Sequence, residues 1–342
     1  MTLIQRLAAR LAFATWALTL AAAPASPASA SPASASPASA SRDSASLAPV
    51  NRVAITVDDL PVVTEGLSLA VAQANTRRFL ATLRRHHVPA IGFVNEDKLF
   101  LHRNEVDARI GLLRSWLDAG MDLGNHGFAH LPFQTTALQT YEEAVIKGEV
   151  VTRQLLAEHG KMPQYYRYPF NQTGPTATVR DQFVAFLHEH GYQIAPMTME
   201  HDDYEFAAVY ADALKRHDRA EAQRVHDAYL KHLDVALDAF EAMSQSLLGR
   251  QIDQVFLIHA SQLNADSLDA MLTRFEQRGY QFIPLEAALH DPAYASPDGY
   301  AGPYGSSWLR RWALGLGKPI QPLGQPDPPD WIMQRYEHLT AH

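Results

Sequence analysis

The stretch Arg52–Pro61, RVAITVDDLP, decides how the chain is read. Val53, Ala54, Ile55, Thr56 and Val57 favour a buried strand, and the run ends in two adjacent carboxylates, Asp58 and Asp59. Ending a buried run in paired acids is costly unless cations or hydrogen-bond donors meet them, so elements downstream must supply partners. In an α/β chain the C-terminal ends of strands are where catalytic groups collect, above a rigid sheet or barrel. A solvated turn is the other reading of such a pair, and Asp202–Asp203 is a second instance.

Toward the N-terminus, Arg6 and Arg10 precede the apolar run Leu11–Ala23, which is followed by small residues and proline. The run is short against the roughly 20 residues that cross a bilayer, and the pattern predicts a secretory signal peptide over residues 1–25. The SPASA repeats of residues 26–48 cannot bury a core and read as a linker. An exported protein, periplasmic or secreted and without a stable membrane anchor, is the expectation. The chain has no cysteine, so any metal must sit on His, Asp or Glu. Its formal net charge is -8, made more negative by loss of Arg6 and Arg10, and no dense basic run is present, which disfavours nucleic-acid binding.

Toward the C-terminus, short apolar runs alternate with amphipathic ones. Strands are predicted at Val53–Val57, Ala90–Val94, Met121–Gly124, Tyr165–Tyr168, Gln193–Met197, Gln254–Ile258 and Gln281–Pro284. Helices are predicted at Ser68–His86, Val106–Asp118, Ala137–His159, Ala177–His188 and Asp266–Gln277, with Asp266 able to cap the last. Strict alternation with right-handed crossovers argues for a parallel sheet in seven βα units, closing as a barrel more readily than spreading as an open sheet. Residues 205–251 read as an enlarged, helical crossover in which Tyr229, Leu233, Leu237 and Phe240 form a packing face. Residues 292–342, rich in Gly, Pro and aromatics, read as an irregular extension carrying Trp308, Trp312 and Trp331, able either to pack or to stack on sugars.

Four further segments follow strand candidates. His126 and His130 in LGNHGFAHLPF are spaced i, i+4, within reach of one ion on a helical turn, and neutral imidazole is a common zinc ligand. With 16 histidines such a pair also arises by chance, as His338 and His342 illustrate. Arg167, in YYRYPFNQTG, can hold a carboxylate of the first pair or form a surface ion pair. The segment EHDDY, Glu200–Tyr204, follows the fifth strand, and VFLIH ends an apolar strand in His259, a position that more often holds a satisfied core histidine.

In this order the five segments resemble the polysaccharide deacetylases of the NodB-homology group, carbohydrate esterase family four, over roughly Val53–Leu289. Thr56-Val57-Asp58-Asp59-Leu60 keeps the acids and threonine of the first motif without its flanking aromatic and glycine, and Gly127 stands where the second motif carries a hydroxyl residue. The resemblance implies that Asp58 is the catalytic base and that Asp59, His126 and His130 bind one divalent metal ion, zinc in the first instance, with Co2+ or Ni2+ as alternatives. It further implies that Arg167 orients Asp58, that the Phe170 N–H faces the oxyanion, and that His259 is the general acid backed by Asp203. The fold it implies is α/β, a distorted (β/α)7-type barrel over residues 49–291 with the insertion and extension described. The activity implied is removal of N-acetyl groups from amino sugars of an acetylated glycan. An O-acetyl esterase, a small-amide hydrolase and a non-catalytic glycan-binding protein using the tail tryptophans are the alternatives.

Overall fold

In β1 (Asn51–Leu60) successive side chains part to opposite faces. Val53, Ile55 and Val57 face outward to pack with Phe79, Leu83 and Trp116 of the helical layer, whereas Ala54 joins Ile91, Phe93, Tyr165, Ala195 and Val255 in a separate inner cluster. Thr56 and Asp58 share the parity of Ala54, so the strand that carries the outer core also delivers a carboxylate to the inner face. The computed structural model describes residues 51–63 and 67–341. The signal peptide and the linker expected over residues 1–48 lie outside the described residues.

The remaining strands are β2 (Ile91–Val94), β3 (Asp122–Asn125), β4 (Tyr165–Tyr166), β5 (Gln193–Ile194), β6 (Gln254–His259) and β7 (Tyr280–Phe282). All pairings are parallel in the order β5-β4-β3-β2-β1-β6, with β7 alongside the first residues of β1. Past β5 the chain reaches β6 through a parallel bridge between Met199 and Phe256, so the sheet curls back on itself. The architecture is the distorted parallel barrel the alternation predicts. β4 and β5 are shorter than expected because the chain leaves the ladder early: Arg167 to Pro169 turns toward the rim, and Thr198–Met199 crosses to β6.

The helices are α1 (Leu69–Arg85), α2 (Val106–Asp118), α3 (Leu138–Lys147), α4 (Val150–Glu158), α5 (Ala177–Glu189), α6 (Asp203–Lys215), α7 (Arg219–Leu248), α8 (Gln262–Gln277), α9 (Leu285–Leu289), α10 (Trp308–Leu316) and α11 (Asp330–Thr340). The single helix predicted over Ala137–His159 is two, α3 and α4, broken at Gly148. A Cβ there would fall 2.8 Å from the Phe128 nitrogen, so glycine lets the end of α3 abut the His126–His130 loop. The last crossover helix starts four residues before the predicted Asp266. Ser261 caps it, its hydroxyl accepting from the Asn264 N–H, while Asp266 pairs with Arg78. The insertion is α6 and the 30-residue α7, whose Tyr229, Leu233, Leu237 and Phe240 are all buried. The C-terminal extension carries two helices, α10 and α11, within otherwise irregular chain. No helix among the described residues is long and apolar enough to cross a membrane.

Candidate active site

The register of β1 against β6 sets Asp58 directly beside His259, at the same rim of the barrel. Just below Asp58 on the inner face, Thr56 Oγ1 accepts from Arg167 Nη2 at 3.0 Å and donates to the Phe256 carbonyl. Arg167 is fully buried with its guanidinium 4.9 Å above the Phe93 ring, and its Nη1 lies 3.5 Å from Asp58 Oδ2. Burial pushes Asp58 up to about 6, against the opposing pull of Arg167 and His259. Asp59 differs from its neighbour in both backbone and partner. It sits at φ 70°, which turns its carboxylate toward the next loops, and Lys98 Nζ stands 3.0 Å from its Oδ1. Burial alone would raise Asp59, but Lys98 and then His130 outweigh it and hold this carboxyl well below the usual carboxylate range.

The two histidines meet, though not on a helical turn as the i, i+4 spacing suggests. Gly127 at φ 70°, Ala129 at φ 63° and His130 at φ 46° fold the segment into a left-handed loop that brings the imidazole centroids to 4.9 Å. Two asparagines replace the hydroxyl missing at Gly127. Asn125 Oδ1 accepts the Gly127 N–H at 2.8 Å, and Asn95 Nδ2 donates to the carbonyls of His126 and Gly127. His126 Nδ1 lies 2.8 Å from the Arg167 carbonyl, which can only accept, so the proton is on Nδ1 and the Nε2 lone pair is free. Burial keeps both imidazoles low, His126 strongly so, and both are neutral donors at ordinary pH.

His126 Nε2 and His130 Nε2 lie 4.0 and 3.7 Å from Asp59 Oδ1, and one donor atom from each of the three residues falls within 4.8 Å of the others. A carboxylate and two neutral imidazoles, converging with only His130 partly exposed, form a donor set that fits a divalent ion of the zinc, cobalt or nickel type.

Across the rim, His259 is held by Asp203, the first residue of α6. Asp203 Oδ1 is 2.7 Å from His259 Nδ1, and Oδ2 accepts the His259 backbone N–H at 2.8 Å. Asn264 donates to the same Oδ2 and to the His259 carbonyl, and is itself held by Tyr229 of α7. Burial would lower His259, but the Asp203 carboxylate prevails and the imidazole is raised to about 10. Of the acid pair in EHDDY only Asp203 turns to the histidine. Asp202, at φ 53°, faces Glu200 and Gln325 of the extension.

Phe170, at φ 55° and half exposed, lays its ring 4.3 Å from that of His130. Gly305 of the extension lies against this turn so closely that a Cβ would come within 2.2 Å of the Phe170 carbonyl oxygen. The tail tryptophans pack: Trp308 and Trp312 are buried, and Trp331 lies under the Arg224 guanidinium. Trp308 and Trp312 therefore offer no exposed platform for a sugar, while Trp331 is partly exposed.

Asp58, Asp59, His126, His130, Arg167, Phe170, Asp203 and His259 thus gather at one rim. Lys98, Asn95, Asn125 and Asn264 were not anticipated. Asn95 and Asn125 stand at the ends of β2 and β3, where the rule that strand ends carry the site applies as much as at β1. Residues 48–195, which contain Asp58, Asp59, His126, His130 and Arg167, match the family model described as Polysaccharide deacetylase. Over this segment the chain is similar to the polysaccharide deacetylases. Similar solved structures include a CE4 family pseudoenzyme from Bacillus anthracis, at 16% identity over 70% of this chain and 66% of that one with a TM-score of 0.48. A peptidoglycan deacetylase from Bacillus subtilis matches at 18% identity over 70% and 91% with a TM-score of 0.44. A family 4 carbohydrate esterase from Streptomyces lividans in complex with acetate matches at 18% over 70% and 95%, also at 0.44. Comparison with curated proteins gave no match.

Proposed function

We propose that this protein is a polysaccharide deacetylase, an exported, metal-dependent hydrolase that removes N-acetyl groups from amino sugars of a glycan. The observation that carries the reading is the register that sets Asp58, raised to about 6 and backed by Arg167, beside His259, raised to about 10, next to the three converging donors at one rim. Export rests on the apolar run Leu11–Ala23 behind Arg6 and Arg10.

A divalent ion held by Asp59, His126 and His130 would supply Lewis-acid polarisation of the acyl oxygen and a source of nucleophilic water at neutral pH. Asp58 takes the proton of the attacking water, its pKa lying close to the working pH as a general base requires. Arg167, fixed by Thr56, keeps that carboxylate aimed. The Phe170 N–H, on the loop that touches His130, donates to the developing oxyanion. His259 enters the reaction protonated and gives its proton to the departing nitrogen as the C–N bond breaks. Acetate and a free amine leave, and Asp203 stabilises the imidazolium throughout.

Acetate release from chitooligosaccharides, peptidoglycan fragments and acetylated xylan, each with added Zn2+, Co2+ or Ni2+, tests the reading. Acetate accompanied by an equal yield of new amine is the expected result. Acetate without amine identifies an O-acetyl esterase, and sugar binding without either product removes the enzyme reading altogether.

A further inference from the structure

Lys98 has no part in the chemistry above, yet its ammonium is ion-paired with the carboxylate of the donor set. It is 6% exposed, and its Nζ lies 3.0 Å from Asp59 Oδ1. That oxygen is also the one that stands 3.7 Å from His130 Nε2 and 4.0 Å from His126 Nε2, so it points into the space the three donors share. Lysine and ion therefore address the same atom.

The lysine is built in. It rides on the turn Glu96–Leu99 directly after β2. Glu96 anchors that turn by accepting from the Val151 and Thr152 N–H groups at 3.0 and 2.6 Å, at the start of α4. Asn95, immediately before it, holds the carbonyls of His126 and Gly127. Without a cation here, two adjacent buried carboxylates would share one rim with Arg167 and the His259 imidazolium on the Asp58 side and no cation of their own beside Asp59, a costly arrangement. With a doubly charged ion present, the ammonium becomes a like charge beside it and a competitor for the oxygen lone pairs.

We propose that Lys98 is a resident counter-cation of the metal site: it neutralises Asp59 when no ion is bound and holds divalent-ion affinity down when one is. The inference rests on the metal reading of Asp59, His126 and His130. It makes the ion exchangeable and lets the protein survive metal removal with its site intact.

The test uses the full chain lacking residues 1–25, with Lys98→Met and Lys98→Gln. Zn2+ and Co2+ affinities are measured by competition against a chromophoric chelator, and melting is followed with and without saturating ion. Both variants should bind either ion about tenfold more tightly or better, the scale on which changes next to a ligand act. Their metal-free forms should melt below wild type, and saturating ion should close the gap. Unchanged or weaker affinity in a folded variant overturns the proposal, weaker affinity marking Lys98 as a group that orients Asp59 for the ion. Failure of both variants to fold even in saturating ion overturns it too, because the ion should replace the lost charge. A wild type that binds no ion, or binds one equally well as Asp59→Asn, fails the metal reading itself and is distinguishable from the other outcomes.

Discussion

The two ends of the barrel solve the same backbone problem differently. At the end where helices return to strands, the turns before β3, β4, β5, β6 and β7 use Gly120, Gly160, Gly191, Gly249 and Gly279, all at positive φ with nothing within 4 Å of where a Cβ would stand. At the other rim, besides Gly127, the positive-φ positions include Asp59, Ala129, His130, Phe170, Asn171 and Asp202, six of the eight non-glycine instances among the described residues. The left-handed region costs an ordinary L residue about 1–2 kcal/mol. Where only a reversal is needed the chain uses glycine in these five turns, His87 at φ 55° before β2 being the exception. Where the reversal must also present a side chain, or pack one against a presented neighbour, the strain is kept and the surrounding contacts hold it.

The hardest blow to this contrast would be a rim that does no chemistry. Asp58→Asn keeps the shape but cannot take a proton, and hydrolysis should fall by about 10²-fold or more while melting and metal content stay at wild-type values. Asp59→Ala should lower activity and metal content together. An Asp58→Asn protein as active as wild type would leave the strained rim without a catalytic purpose.

Acid should loosen the rim before the opposite end. His201, fully buried in EHDDY between Tyr229 and Phe256, is pushed by burial down to about 3. It stays neutral when folded but takes a proton near 6.5 when unfolded, so its contribution is present above 6.5 and is lost as pH falls toward 3. His201→Phe should therefore flatten the loss of stability below pH 6, by about 2 kcal/mol at pH 5. Identical acid profiles for the two proteins would show that His201 is not the group that titrates.

The smallest effects test the backbone directly. Gly160→Ala should cost about 1 kcal/mol, since the space is open and only φ resists, whereas Ala129→Gly should gain up to about 1 kcal/mol by releasing strain. Denaturant midpoints decide, and equal signs for the two would dissolve the distinction between the ends.

Much of this was legible in advance, because period-two runs and helical spacing report which faces are buried. Helix Val106–Asp118 starts and stops where the pattern does. What escaped depended on contacts between distant segments. Gly148 breaks a helix because a loop twenty residues earlier needs the space, and Ser261 outcompetes Asp266 as a cap because Asp266 is taken by Arg78. At the site, the acids of β1 announced a need for cations. Arg167 answered for Asp58, but nothing in a short turn such as Glu96–Leu99 marks Lys98 as the partner of Asp59. His126 and His130 were chosen for a spacing whose helical geometry the chain does not adopt, and glycine with two asparagines brings them together instead.

Arg167 acts on the rim through two separate handles. Its guanidinium reaches Thr56 and Asp58, and its peptide carbonyl fixes the ring of His126. Substitution erases the first handle and cannot touch the second, since every residue brings a carbonyl. Genetic variation at this position therefore has an asymmetric reach: it can remove the contacts to Thr56 and Asp58 while leaving the bond that orients the His126 ring. On the proposed function, a lineage that changed residue 167 alone would abandon turnover without dismantling the site's architecture, and a return would need only one codon.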